Sequence, residues 1–387
     1  MKKTSIVISS AEIIGNNPDL LTQIVIRIPT KPLLKFRCVS KQWLSLLSCP
    51  DFCLSHTRYH HQTNGVLTPT GLLLVWSNES KCHLVSLKHN STVPLFDFLN
   101  TPNISVIRSC NGLFLCKSLL ETSYSTVIYK YFICNPTTRK FKELSFPAIP
   151  EQDVYLHLFL AFDPLKSPHY KIFRLWKASP SSRTKYQLDI YSSETDSWSA
   201  SSYCFNLERS LNSKGSVFCN GKLYLRHDGG TKLLCLDVEN ESSMAPIQIA
   251  LPINTLDLLK RIEIGECQGV LHVAVTNYYT RTDFELKVFE MKHDYSGWVL
   301  KHHLCIDRSV KGFYKLFQGH GRRWYYLRFY DVCITQVGKG EEPKIFVWIK
   351  NKVIFYDFED GAWKFLCDLE RKNHKYLFNY YENLSSV

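Results

Sequence analysis

Apolar positions follow two rhythms along this chain. Between residues 16 and 60 they recur three and four apart, as on a helix face; from about Val66 onward they alternate, as on strands. In the first stretch Asn17 or Asn16 is placed to cap a helix that opens at Pro18 and carries Leu20, Leu21, Ile24 and Ile28. Pro29 stops that helix. Thr30 is placed to cap a second one, with Pro32 tolerated in its first turn. Leu33, Leu34, Phe36, Val39 and Trp43 continue the stripe, Leu46 and Leu47 extend it, and Pro50-Asp51 break it before Phe52-Cys53-Leu54. The pattern predicts three or four short helices with apolar residues on more than one side. A module this small with surplus apolar surface needs a partner.

The remaining chain repeats. One half-unit is a turn followed by alternating apolar residues: Asn111-Gly112-Leu113-Phe114-Leu115-Cys116, Asn220-Gly221-Lys222-Leu223-Tyr224-Leu225 and Gln268-Gly269-Val270-Leu271-His272-Val273, with Asn351 to Tyr356 a weaker copy. Asn-Gly tolerates the positive φ of a tight hairpin at both positions. The other half-unit is strand, polar turn, aromatic: Ile133 to Phe141, Ile190 to Trp198 and Phe355 to Trp363, with a longer-looped copy from Phe289 to Trp298. The half-units alternate, and whole units recur about every fifty residues, the period of a propeller blade. Such a unit buries its faces only by stacking on neighbours around an axis. The β half is therefore expected to unfold as one cooperative unit, independent of the helices. About six blades is the expected count, with seven or an irregular sandwich as alternatives.

Composition narrows the function. The chain has 387 residues, is 45% hydrophobic and has 14 cysteines without a spaced framework. A core this large needs no disulfide staples, so reduced, mostly buried thiols in the cytoplasm or nucleus are expected. Ile6-Val7-Ile8 is far too short for the core of a secretion signal, and no apolar run approaches a bilayer span, so no membrane partner is expected. The net charge of +12 favours an acidic partner, protein or nucleic acid. The basic residues are not gathered in one tail, which weakens the nucleic-acid reading.

Candidate chemistry is sparse. Cys49, Cys53, His56, His60 and His61 lie close together, but not at the spacing of a zinc finger, and no metal or cofactor is expected. No nucleophile-elbow, phosphate-loop or zinc-protease string appears, so the chain reads as a non-enzyme. The Gly321-Arg322-Arg323-Trp324-Tyr325-Tyr326-Leu327-Arg328 run mixes cations with aromatics but is accounted for by strand alternation. In a propeller, partner-specific contacts come from the connections between strands. Arg183, Tyr278, Tyr279 and Arg281 are the candidate target-binding residues, because Tyr and Arg are enriched at interface hot spots.

The run Pro18-Asp19-Leu20-Leu21-Thr22-Gln23-Ile24, continued by Arg27-Ile28-Pro29 and by Lys31-Pro32-Leu33-Leu34-Lys35-Phe36-Arg37-Cys38-Val39-Ser40-Lys41-Gln42-Trp43, resembles the plant F-box. The likeness carries through Leu46-Leu47, Pro50-Asp51-Phe52 and His56. The phrases at Asn111 to Leu115, Cys134 to Leu144, Ala161 to Pro164 and Ile190 to Trp198 resemble the F-box-associated, kelch-like β-propeller domains of plants. The double glycine of the kelch pattern is largely missing, Gly229-Gly230 being the one candidate.

The resemblance implies a small all-α F-box module at residues 14–60, behind a flexible tail at 1–13, followed by a large all-β, propeller-like domain at 61–387. It implies a substrate receptor of an SCF-type cullin ubiquitin ligase, docking a Skp-type adaptor and through it a cullin, and recruiting an unknown protein target. The alternatives are a non-degradative F-box scaffold and a basic nucleic-acid-binding propeller. The implied adaptor-binding residues are Pro18, Leu20, Leu21, Ile24, Ile28, Pro29, Leu33 and Lys35, with Lys31, Arg37 and Lys41 completing a basic rim. Asn17 stands where the family has Leu and Gln23 where it has Glu, two departures that would lower adaptor affinity.

Overall fold

The computed structural model describes residues 14–15, 17–64, 67–76, 82–87, 92–94, 96–101, 104–122, 127–147, 156–177, 185–206, 211–227, 231–240, 247–253, 260–277, 283–307, 329–336, 341–349, 352–368 and 374–387. Among the described residues, helical residues 14–15 are followed by four helices: α1 (Pro18–Val25), α2 (Thr30–Lys35), α3 (Lys41–Ser48) and α4 (Pro50–Asn64), with a 3-10 turn at Phe36–Cys38. Asn17 caps α1, its side chain accepting from the Asp19 and Leu20 amides, and Pro18 takes the first helical position, where no amide is needed. Ser40 caps α3 through the Trp43 amide. Thr30 is the first residue of α2 rather than its cap; Pro29 precedes it, and no side chain caps that helix.

Among the described residues, twenty-four strands follow in six four-stranded antiparallel sheets. Sheet two is β4 (Ile104–Cys110), β5 (Leu113–Thr122), β6 (Val127–Asn135) and β7 (Lys140–Leu144); sheet three is β8 (Leu156–Phe162), β9 (Tyr170–Lys177), β10 (Lys185–Ser192) and β11 (Ser197–Asn206). Sheet four is β12 (Leu211–Cys219), β13 (Lys222–His227), β14 (Lys232–Asp237) and β15 (Ile247–Ala250). Sheet five is β16 (Lys260–Cys267), β17 (Val270–Asn277), β18 (Asp283–Met291) and β19 (Trp298–Asp307). Sheet six is β20 (Phe329–Thr335), β21 (Lys344–Ile349), β22 (Lys352–Asp357) and β23 (Ala362–Asp368). Sheet one joins the two ends of the β region: β24 (His374–Tyr380) pairs with β1 (Gly71–Trp76), which leads to β2 (Cys82–Ser86) and β3 (Thr92–Pro94).

Strands β24, β4, β8, β12, β16 and β20 touch one another in a closed cycle, so they are the inner strands of a six-bladed propeller. The pairing of β24 with β1, Gly71 opposite Tyr380 through Val75 opposite Tyr376, is the ring closure. Six apolar clusters fill the six spaces between neighbouring blades; Phe159, Phe173, Tyr186 and Phe205, for example, meet Leu223, Leu225 and Leu234 between blades three and four. This is why the repeat is rich in aromatics: each sheet is covered only by the next one.

The two half-units are the two local hairpins of a blade. Asn111, Asn220 and Gln268, with the glycine after each, hold positive φ in the turns β4–β5, β12–β13 and β16–β17. Arg139, Asp196 and Gly361 do so in the turns that end blades two, three and six. Gly112 has a second reason to be glycine. A Cβ there would stand 2.3 Å from the Asn383 side-chain nitrogen and 2.4 Å from the Tyr381 carbonyl oxygen. Asn351, Gly229-Gly230 and the 321–328 run lie outside the described residues.

The helical module does not close its own core. Leu21, Val25, Leu33, Leu47, Phe52 and Cys53 form one buried cluster, and Leu384, after the last strand, completes it. The helices and the propeller are thereby one packed body, which differs from the independence expected of the β half. No alternation or stripe near Leu384 signals this, because the contact spans nearly the whole chain.

Candidate functional site

Helix α1 carries apolar residues on two sides and buries only one. Leu21 is 1% exposed and Val25 is buried, whereas Leu20 is 39% and Ile24 48% exposed, four residues apart on the outer side. Val39 and Leu44, at the end of the 3-10 turn and on α3, are likewise exposed. Of the residues implied by sequence, Pro18, Leu20, Ile24, Pro29 and Lys35 are on the surface and Ile28 is half-buried; Leu21 and Leu33 are core residues with no surface to offer. Phe36 and Trp43 pack against that core, their rings 5.5 Å apart. Neither Val39 nor Leu44 is among the adaptor-binding residues expected from sequence; a helical stripe shows which residues share a side, not which side is covered.

The basic rim divides. Arg37 is half-buried and its Nη2 donates to the Leu47 carbonyl oxygen at 2.9 Å, tying the 3-10 turn to α3. Burial lowers its guanidinium from the usual range, and the Cys53 thiol beside it raises it in part. Lys31 turns toward the propeller side and pairs with Glu382 at 2.6 Å. Lys35 and Lys41 stay exposed beside the apolar stripe.

The junction with the propeller is polar around the Leu384 plug. The Cys53 thiol donates to the Leu384 carbonyl at 3.3 Å. Arg58 Nε donates to the Leu165 carbonyl at 2.7 Å, on the loop after β8. Segment 381–387 is held from the propeller side by Asn135, whose Nδ2 donates to the Asn383 side-chain oxygen at 2.7 Å and the Ser385 carbonyl at 2.8 Å. Asn383 in turn donates to the Asn111 carbonyl at 2.6 Å. The first hairpin turn and the third turn of blade two thus both grip the segment that seats the helices.

Two members of the Cys49 to His61 group, His56 and Cys53, are engaged elsewhere. His56 Nε2 is 2.8 Å from the Ile28 carbonyl oxygen, and burial holds its imidazole down at about 4, the Ile28 bond raising it in part and His60 lowering it. Burial pushes the Cys53 thiol up to about 11. A neutral buried imidazole and a protonated thiol, each bonded to a carbonyl, are packing elements of the α1–α4 contact. Strand pairing does bring Glu285, His303 and Cys305 together on β18 and β19. His303 Nε2 is 2.8 Å from Glu285 Oε1 and 3.4 Å from the Cys305 sulfur, with Lys287 already on the same carboxylate oxygen at 2.7 Å.

Of the polar groups inside the blades, Arg174 on β9 and Asp189 on β10 are the most committed. They face each other in register and form a buried ion pair in which Arg174 Nε donates to Asp189 Oδ2 at 2.8 Å. Trp176 Nε1 adds a bond to the same oxygen at 2.9 Å, and Arg174 Nη1 donates to the Pro147 carbonyl at 2.9 Å. Asp189 is a mid-strand charge, inside β10 and opposite Arg174. The candidate target-binding residues Arg183, Tyr278, Tyr279 and Arg281 lie outside the described residues.

Comparison with known proteins agrees with this architecture. The family model of the F-box associated beta propeller domain matches residues 68–264, and that of the F-box domain matches residues 17–55. F-box protein At5g07610 of Arabidopsis thaliana is 29% identical over 397 residues, covering 94% of this chain and 88% of its own length. F-box protein At1g48060 of the same plant is 27% identical over 302 residues, covering 71% of this chain and 74% of its own. With helices α1 to α3 and the start of α4 falling in the F-box match and the inner strands in the propeller match and beyond it, the chain belongs to the F-box-associated β-propeller family and carries an F-box domain ahead of its six blades.

Proposed function

We propose that this protein is a substrate-receptor subunit of an SCF-type cullin ubiquitin ligase. Its F-box docks a Skp-type adaptor, which links it to a cullin, and its propeller recruits a target protein. The observation that carries this reading is the exposed pair Leu20 and Ile24 on α1, left uncovered while Leu21 and Val25 on the other side complete the core. Two large aliphatic side chains one helical turn apart, flanked by Pro18 and Pro29 and by the cations Lys35 and Lys41, suit an acidic partner with an apolar groove.

On this reading the protein performs no chemistry and resides where ubiquitin ligases work, in the cytoplasm or nucleus. It raises the concentration of its target near the loaded ubiquitin carrier. The Leu384 plug and the Lys31–Glu382 pair supply a fixed angle between adaptor and target, which a floppy linker would not. The target-contacting residues proposed are those of the loops holding Arg183, Tyr278, Tyr279 and Arg281.

The test is co-purification of the full chain with a Skp-type adaptor, in parent form and as the Leu20→Ala, Ile24→Ala double variant. Loss of the adaptor with the fold intact supports the assignment; unchanged capture removes it. Targets trapped by an F-box-deleted chain and stabilised on knockdown separate a degradative receptor from a scaffold.

A further inference from the structure

All six inner strands contribute to a cavity of about 160 Å³ on the propeller axis. A second cavity, of about 270 Å³, continues it toward His61 of α4, the two sharing Asn111, Phe218, Glu266 and Tyr381 as a waist. In the wall of the first cavity stands Arg108 of β4, only 7% exposed. Its Nη1 donates to the Ile107 carbonyl at 2.7 Å, and its guanidinium lies over the Phe159 ring at 5.0 Å from the centroid. Its Nε is sealed from solvent and has no hydrogen-bond partner. No described carboxylate forms an ion pair with it, in contrast to Arg174 one blade on, which has Asp189.

A buried guanidinium without a counter-charge is costly unless something supplies one. Arginine also keeps its charge here: burial lowers it only to about 10, with Tyr376 raising it in part. The outer nitrogen Nη2, with no acceptor among the described residues, is the donor left for the cavity. Ser109, Ser216 and Asn379 add small polar groups to the same wall, and Leu160, Ile264 and Val332 add apolar surface. We propose that this axial cavity binds a small organic acid, its carboxylate held by Arg108 and its short apolar body by the inner strands.

A single negative charge fits better than a phosphate dianion, because Glu263 and Glu266 line the cavity too. Glu266 accepts from the Gly269 amide at 2.6 Å, and its carboxyl is raised by burial, so it favours a neutral or donor-bearing end of the ligand over a second anionic one. The site lies between the F-box end of the channel and the rest of the ring. Occupying it would stiffen contacts among all six inner strands.

The experiment titrates the purified full chain with sodium acetate, sodium lactate and inorganic phosphate against sodium chloride at matched ionic strength, reading the thermal midpoint and heats of binding. A saturable rise with a monocarboxylate is expected. Arg108→Met is expected to weaken binding about tenfold to a hundredfold, the loss of one charge-assisted contact. Ser216→Leu, which adds bulk to the cavity wall while leaving Arg108 in place, is expected to abolish it, so the assignment stands testable even if the Arg108 variant does not fold. The proposal is overturned if no carboxylate acts beyond chloride, if phosphate is preferred, or if Ser216→Leu binds as well as the parent.

Discussion

The thiol of Cys53, on the last F-box helix, donates to the carbonyl of Leu384, beyond the last propeller strand, across 331 residues of sequence. The Leu384 side chain sits in the same core as Leu21, Val25, Leu33 and Leu47. Truncating Leu384 to Ala should therefore act on the F-box, although the residue belongs to neither helix nor blade. A cost of about 2–5 kcal/mol is expected for a fully buried leucine. Hydrogen exchange is the direct readout: amides of α1 and α4 should lose protection while those of β8 to β10 keep theirs. Equal loss in both would mean that the tail supports the ring and not the helices.

The two sides of α1 should separate stability from binding. Leu21→Ala and Leu33→Ala remove core side chains and should each lower stability by about 2–5 kcal/mol. Leu20→Ala and Ile24→Ala remove exposed ones and should change stability by less than about 1 kcal/mol while weakening adaptor capture. Urea midpoints and adaptor affinity measured on the same four variants check this; a stability loss at Leu20 matching that at Leu21 would mean the helix is turned.

His56 makes the F-box acid-sensitive. Its folded imidazole is held at about 4 against an ordinary 6.5, so the folded state binds fewer protons than the unfolded one between those values. The sign follows: stability is complete above pH 6.5 and falls as pH drops toward 4, by about 3 kcal/mol in all and about 2 kcal/mol by pH 5. A His56→Gln variant, which keeps a donor for the Ile28 carbonyl, should show a shallower loss between pH 7 and pH 5 in denaturant titrations. Parallel curves for the two proteins would place the acid sensitivity elsewhere.

The Arg174–Asp189 pair should behave as a committed buried ion pair. Asp189→Ala leaves a buried guanidinium facing Trp176 with no counter-charge and should cost about 3–5 kcal/mol. The double change Arg174→Met with Asp189→Leu should recover most of that loss, because no charge is then left unpaired. A double-mutant cycle in thermal unfolding measures the coupling. A double variant as unstable as Asp189→Ala alone would show that packing of the arginine stem, not its charge, holds blade three.

Much of this was local enough to read from the chain. Asn111-Gly112, Asn220-Gly221 and Gln268-Gly269 mark tight turns because positive φ is a property of two residues, and the structure has it at all six. The blade period follows from those turns, and six blades from the number of periods. The first helix announces itself through Asn17 and Pro18, whose capping acts within three residues; Ser40 as the cap of α3 emerged only in the structure. What needed the tertiary structure is everything set by long-range closure. Whether Leu20 or Leu21 faces outward depends on where α2 to α4 settle, since both satisfy the same helical period. Lys31 reads as a binding cation until Glu382 arrives from the far end of the chain. Arg108 and Arg174 are both inward-facing arginines on strands. Only the register, which sets Asp189 opposite one and leaves the other over Phe159, decides that one charge is neutralised within the blade and the other is not.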